Sequence, residues 1–282
     1  MSEIEPVPDF RRGMMRKRLR GVKRLLLVLS GKGGVGKSVV SATLAAMLSD
    51  SGFRVGLMDA DIYGPSSALL FGADELPGED EGGLTPPVRE GVKVMSVDLF
   101  ARGKPIPLTG SAAQQIVLEL LALTDWGDLD CLVVDMPPAT GDIMMSMTTL
   151  GRKEAALVVT MPDRLSITVA HRVLQLLKSG NVQTLGVVGN MLRPRRGAPA
   201  SDQSGPRKLA REFNVPLLGL LPYDEGVTKA VEKSDIKALL ATKFAKLLKH
   251  SAGAFMDTLE ADRARRQGAQ LRHPTRGSSR RR

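Results

Sequence analysis

The run Gly31-Lys32-Gly33-Gly34-Val35-Gly36-Lys37-Ser38 constrains this chain more than any other feature. Its glycines free the backbone for torsions that side chains resist, so the run is a tight loop and not the interior of a strand or helix. Before it stands Arg24-Leu25-Leu26-Leu27-Val28-Leu29-Ser30, a short apolar run bounded by polar residues, which predicts a buried parallel strand. After it, Ser38 to Leu48 predicts a helix stopped near Gly52. Strand, glycine-rich loop and helix in this order fit G-x-x-x-x-G-K-[ST], a loop that wraps nucleotide phosphates. The physical basis is the helix N-terminus, where unpaired N–H groups and the positive end of the macrodipole meet a concentrated anion. The spacing assigns Gly31, Gly33, Gly34, Val35, Gly36, Lys37, Ser38 and Val39 to phosphate binding. Lys37 is expected on the β- and γ-phosphates and the Ser38 hydroxyl on Mg²⁺.

The rest of the chain alternates strand and helix patterns. Strands are expected at Val55–Met58, Val92–Ser96, Leu132–Val134, Ala155–Thr160, Thr184–Gly189 and Leu217–Leu221. Helices are expected at Ser111–Leu123, Ser166–Leu177, Arg207–Phe213 and Ile236–Leu259. Gly78 to Pro87 is acidic and rich in Gly and Pro, the composition of a loop. This rhythm predicts an α/β fold: a doubly wound, mostly parallel sheet flanked by helices. A chain of 282 residues can hold one large domain of this kind. The expected organisation is a basic N-terminal arm over 1–23, a P-loop ATPase domain over 24–260 and a disordered basic tail over 261–282.

Two acids follow one of these strands, in Leu57-Met58-Asp59-Ala60-Asp61-Ile62-Tyr63-Gly64-Pro65-Ser66. Ligands of open α/β sheets bind at the C-terminal ends of strands. Hydrolysis of a nucleotide needs Mg²⁺ and a group that orients water for in-line attack. Asp61 is assigned to the water and Asp59 to the Mg²⁺ environment. In Leu132-Val133-Val134-Asp135-Met136-Pro137-Pro138-Ala139-Thr140-Gly141-Asp142 a third acid follows a buried strand. Asp135 is assigned to Mg²⁺ through water, with the proline pair stiffening a phosphate-sensing switch. The expected cofactors are thus ATP and Mg²⁺.

The net charge is +10, and it resides in the ends. Residues 1–24 carry eight basic and three acidic side chains, and residues 261–282 carry eight arginines against Asp262. Such a tail reads either as an electrostatic arm for nucleic acid or an acidic surface, or as a solubilising extension. It carries no aromatics to stack on bases. The single cysteine, Cys131, excludes an intrachain disulfide and fits a reducing compartment. With no signal-peptide pattern and no apolar run long enough to span a bilayer, a cytoplasmic protein without a transmembrane segment is expected.

The segments GKGGVGKS, MDADIYGPSS, VDMPPATGD and LGVVGNM together resemble the Mrp/ApbC-type ATPases, described as iron–sulfur cluster carriers. Lys32, after the first glycine, marks the deviant form of the loop shared with Min-type, partition-type and nitrogenase-iron-protein-type ATPases. The resemblance spans about residues 22 to 250, and DADIYGPS is its most discriminating part. It implies a homodimeric ATP-hydrolysing switch in which Lys32 reaches the partner's nucleotide, so that Lys32, Lys37 and Asp61 are the catalytic set. It also implies that Asn190 hydrogen-bonds the adenine, that Pro222 and Asp224 close its pocket, and that iron–sulfur apo-proteins are acceptors. The chain departs from the family where the carriers bear Cys-x-x-Cys, since Met191-Leu192-Arg193-Pro194-Arg195-Arg196-Gly197-Ala198-Pro199 has no thiol. It departs again at Ala139, where relatives place glycine. A cluster-free positioning or partition-type ATPase acting on nucleic acid or membrane is the alternative. Arg193, Arg195 and Arg196 form either an anion-docking loop or a solvated one. Met144, Met145 and Met147 are read as core or interface filler. His171, His250 and His273 stand isolated.

Overall fold

Strand β1 (Val22–Leu29) runs through the middle of an eight-stranded sheet, feeding directly into the glycine loop. The structure is a computed structural model, and it describes residues 9–104, 110–138, 143, 146, 147, 153–193 and 204–272. On one side of β1 lie β7 (Leu129–Asp135), β2 (Val55–Asp59) and β6 (Val92–Met95), all parallel, and β5 (Val88–Arg89) closes that edge antiparallel. On the other side lie β8 (Lys153–Thr160), β9 (Gln183–Leu192) and β10 (Leu217–Pro222), again parallel. The expected doubly wound, mostly parallel sheet is present.

Side chains of a strand alternate between faces, and here both faces are buried. Leu25, Leu27 and Leu29 enter one core and Leu26 and Val28 the other, which is why the sequence reads as a continuous apolar run. The first core is covered by α1 (Asp9–Arg18), α5 (Gly110–Leu123), α6 (Arg164–Ser179) and α7 (Gly205–Glu212). Short α3 (Ser67–Leu70) and α4 (Asp98–Ala101) follow β2 and β6. The second core is covered by α2 (Lys37–Asp50) and by α8 (Glu225–Glu232), α9 (Ile236–Ala241), α10 (Lys243–Ser251) and α11 (Gly253–Arg272).

Four local features differ from the sequence expectation. The basic segment before β1 folds from Asp9 onward, because Met15 and Leu19 insert into the first core with at most 1% exposure. Gly78–Asp80 and Gly83–Thr85 pair as a small antiparallel hairpin, β3 and β4, where a loop was expected. The helix expected over Ile236–Leu259 is broken at Thr242, whose extended backbone and hydroxyl cap the N–H of Ala245. Helix α11 continues past residue 260 and is tied down by Arg24 Nε to Asp262 Oδ2 at 2.7 Å. Residues 1–8 and 273–282, including His273, lie outside the described residues.

Candidate functional site

The glycine loop follows β1 and opens α2, as the motif requires. Each glycine has its own reason. Gly34 and Gly36 sit at φ of 77° and 80°, in the left-handed region. A methyl group on Gly36 would lie 2.4 Å from Asn190 Nδ2, and one on Gly31 would lie 2.5 Å from the Val169 carbonyl carbon of α6. A methyl group on Gly33 or Gly34 would meet nothing within 4 Å among the described residues. The first pair is therefore crowded by the protein, while the second pair faces open space above the N-terminus of α2. That space is where an anion fits.

Beneath the loop, Lys37 is 6% exposed and Asp135 is fully buried. Lys37 Nζ donates to Asp135 Oδ1 at 2.7 Å and lies 3.8 Å from Asp61 Oδ2. Ser41 Oγ lies 2.8 Å from the same Asp135 oxygen. Asp135 Oδ2 is buried with no hydrogen-bond partner among the described residues. An orphaned carboxylate oxygen in a buried site is costly unless something else satisfies it.

Asp59 is the register partner of Asp135 on the neighbouring strand. Its Oδ1 accepts from the N–H of Asp61 at 3.0 Å, and its Oδ2 accepts from those of Ser66 and Ser67 at 2.8 Å each. Asp59 thus folds the segment 60–67 back over the strand end. Its pKa is pushed up to about 7, first by burial and then by the Asp135 charge, against the pull of the Ser67 and Ser66 N–H groups and Lys37. Asp61 accepts from the Gly64 N–H at 3.3 Å and is the most solvent-accessible of the three acids. Among the described residues no group of three or more His, Cys, Asp or Glu side chains could hold a metal alone. The arrangement suits Mg²⁺, which is bound through one or two carboxylates together with substrate phosphates.

The remaining site residues sit nearby but in different roles. Lys32 is exposed, and its backbone carbonyl accepts from Ser30 Oγ at 3.0 Å. Asp163, the N-cap of α6, is pushed up by burial yet held below the usual carboxylate range by Ser166, by the charge of Lys32 and by the Leu165 N–H. Val39 opens α2 alongside Ser38. Asn190 is buried and its Nδ2 donates to the Val35 carbonyl at 2.9 Å, so the end of β9 is locked onto the loop. Pro222 ends β10 opposite Leu192. Both oxygens of Asp224 accept backbone N–H groups, from Gly226 at 2.8 Å and Phe244 at 3.1 Å, which joins α8 to α10.

Three contacts escaped the sequence reading. One is Ser41 on Asp135. Another is Arg193, whose guanidinium lies 4.4 Å from the centroid of the Tyr223 ring beside Pro222. The third is His171, paired with Glu212 at 2.9 Å and edge-on to Phe213. Only Tyr223 between Pro222 and Asp224 offered a visible signal, as an aromatic beside a strand end. Met147 is fully buried, as filler should be. Ala139 to Asp142, Met144, Met145, Arg195 and Arg196 lie outside the described residues. Among the described residues no helix is long and apolar enough to cross a membrane.

Comparison with known proteins follows the same line. Residues 21–256 match the ParA family, described as NUBPL iron-transfer P-loop NTPase. The iron-sulfur cluster carrier protein of Rickettsia typhi is 37% identical over 217 residues, covering 77% of this chain and 66% of its own length. The chain therefore spans just under two thirds of that relative. The nucleotide-binding protein of Archaeoglobus fulgidus, solved in complex with ADP, gives a TM-score of 0.67 at 28% identity, over 80% of this chain and 92% of that one. The cell division ATPase MinD of Pyrococcus furiosus gives 0.61 at 23% identity over 84% of this chain and 99% of its own, a likeness of fold. With the phosphate loop, the strand-end acids and this match in agreement, the chain belongs to the ParA family of NUBPL iron-transfer P-loop NTPases and is of the Mrp/ApbC type.

Proposed function

We propose that the protein is a Mg²⁺-dependent ATPase that works as a homodimeric switch in iron–sulfur cluster assembly. The observation that carries this is the buried Lys37–Asp135 pair set beneath a glycine loop with open space on its outer side. The loop N–H groups and Lys37 would bind the triphosphate. Asp135, Ser38 and Asp59 would hold Mg²⁺, whose part is to neutralise charge on the phosphates. Asp61, the most accessible acid, would orient water. Lys32, exposed at the loop's edge, would meet the second subunit's nucleotide. Asn190 would exchange its Val35 contact for the base, with Pro222 and Asp224 shaping that end of the pocket.

The cluster is cargo in this reading, and the relatives' name supplies it. The chain's own thiol does not fit as a ligand. Cys131 is fully buried within β7, and burial pushes it up to about 12. We therefore place the protein as a nucleotide-driven partner of cluster-bearing or acceptor proteins that does not grip a cluster through its own thiolates. Phosphate release from ATP by the purified protein, abolished in Lys37→Ala and Asp61→Ala, tests the enzyme. Anaerobic incubation with iron and sulfide tests the cargo: no stable chromophore is expected on this chain alone, and stoichiometric iron bound through Cys131 would contradict it.

The missing thiols and the eight arginines after Glu260 favour a second reading, a cluster-free positioning or partition-type ATPase acting on nucleic acid or membrane. ATP-dependent DNA binding that weakens with salt and is lost on deleting 273–282 would select it.

A further inference from the structure

Ser41 stands one turn beyond Lys37 on α2 and is fully buried. Its Oγ lies 2.8 Å from Asp135 Oδ1 and 3.1 Å from the Lys37 carbonyl. A hydroxyl has one proton to give. Back-bonding to the carbonyl four residues earlier is the ordinary fate of a helical serine. Here a carboxylate oxygen competes, and it is both nearer and charged, so the proton goes to Asp135.

The consequence lies on the other oxygen. Asp135 Oδ1 takes Lys37 and Ser41 together, while Oδ2 is buried and without a partner among the described residues. We infer that Ser41 is a positioning residue for the metal–nucleotide site: its hydroxyl pins Oδ1 of Asp135 and so keeps Oδ2 as the open acceptor. The inference rests on the Mg²⁺–nucleotide reading above. Lys37 cannot do this task alone, because its ammonium is also the group that serves the phosphates. Among the described residues Ser41 Oγ has no charged acceptor besides Asp135, so its hold on Oδ1 persists when Lys37 turns away.

The test is a Mg²⁺ titration of the full-length protein with a fluorescent ATP analogue, paired with a titration in EDTA. Ser41→Ala keeps the helix, since alanine is the best helix former. Its affinity in EDTA should match wild type, while its half-saturating Mg²⁺ rises roughly tenfold, the effect of losing one hydrogen bond to a charged group. Ser41→Cys, with a weak donor of similar size, should fall between the two. In an Asp135→Asn background Ser41→Ala should add less than about a twofold effect, because the two act as a unit. Superimposable Mg²⁺ curves for wild type and Ser41→Ala would overturn the inference alone. A parallel loss of affinity with and without metal would overturn it too, by marking a purely structural serine. A wild-type protein whose nucleotide binding ignores Mg²⁺ would overturn the inference and the metal reading together.

Discussion

Lys37 Nζ lies 2.7 Å from Asp135 Oδ1, with both side chains removed from water. Two buried charges hold each other in place, and each is expensive without the other. The pair therefore braces the loop, and it also occupies the two groups that a Mg²⁺–nucleotide would claim.

Lys37→Met should leave Asp135 uncompensated and cost about 3 kcal/mol of stability. Adding Asp135→Asn to that variant should cost far less than the same change made in wild type. Urea unfolding followed by the fluorescence of the single tryptophan, Trp126, which is fully buried, reports both. Additive costs would mean that the two residues do not couple.

Gly36→Ala should destabilise the fold by about 2 kcal/mol, since its φ is 80° and the methyl would strike Asn190. Asn190→Ala should relieve part of that cost. Unfolding midpoints of the two single variants and the double variant decide it, and an undiminished penalty in the double variant would refute the contact.

Asp59 gives the nucleotide-free protein a pH dependence with a definite sign. Its folded value is raised from 3.8 to about 7, so between these values the native state holds more protons than the unfolded chain. Its contribution to stability therefore falls as pH rises through that window and levels off above it. Asp59→Ala should show a shallower fall across the window, although it is less stable throughout because three N–H groups lose their acceptor. Urea midpoints at a series of pH values check this, and parallel profiles would contradict it.

The sheet was legible because its strands are short apolar runs bounded by polar residues, Gly or Pro, and two of them, β2 and β7, end in acids. Asp59 and Asp135 were legible for the same reason, as charges that make sense only at strand ends. Helix α1 was hidden because Arg11, Arg12, Arg16, Lys17 and Arg18 mask Met15 and Leu19, whose burial depends on α5 a hundred residues away in sequence. The break at Thr242 was hidden because a threonine cap is read only once the helix axes are known. Ser41 looked like one more small residue in α2, since its partner comes from a distant strand. The two roles of the glycines, crowding at Gly31 and Gly36 and openness at Gly33 and Gly34, have no signature in the motif itself.

Helix α1 and the turn that follows it at Leu19 yield their own prediction. Met15→Ala and Leu19→Ala should each cost about 2–4 kcal/mol, the usual range for emptying a buried site. A basic arm free of the body would show no change in unfolding midpoint for either.

Calorimetric titration of ATP with Mg²⁺ into wild-type protein and Gly33→Ala addresses the phosphate cradle most directly. A methyl at Gly33 meets nothing within 4 Å among the described residues, so the variant should unfold at the wild-type midpoint. Wild type should bind with saturable heat, and Gly33→Ala should give none because the methyl fills the space the phosphates need. Wild type without saturable heat, or a Gly33→Ala variant that binds as wild type does, would contradict the account.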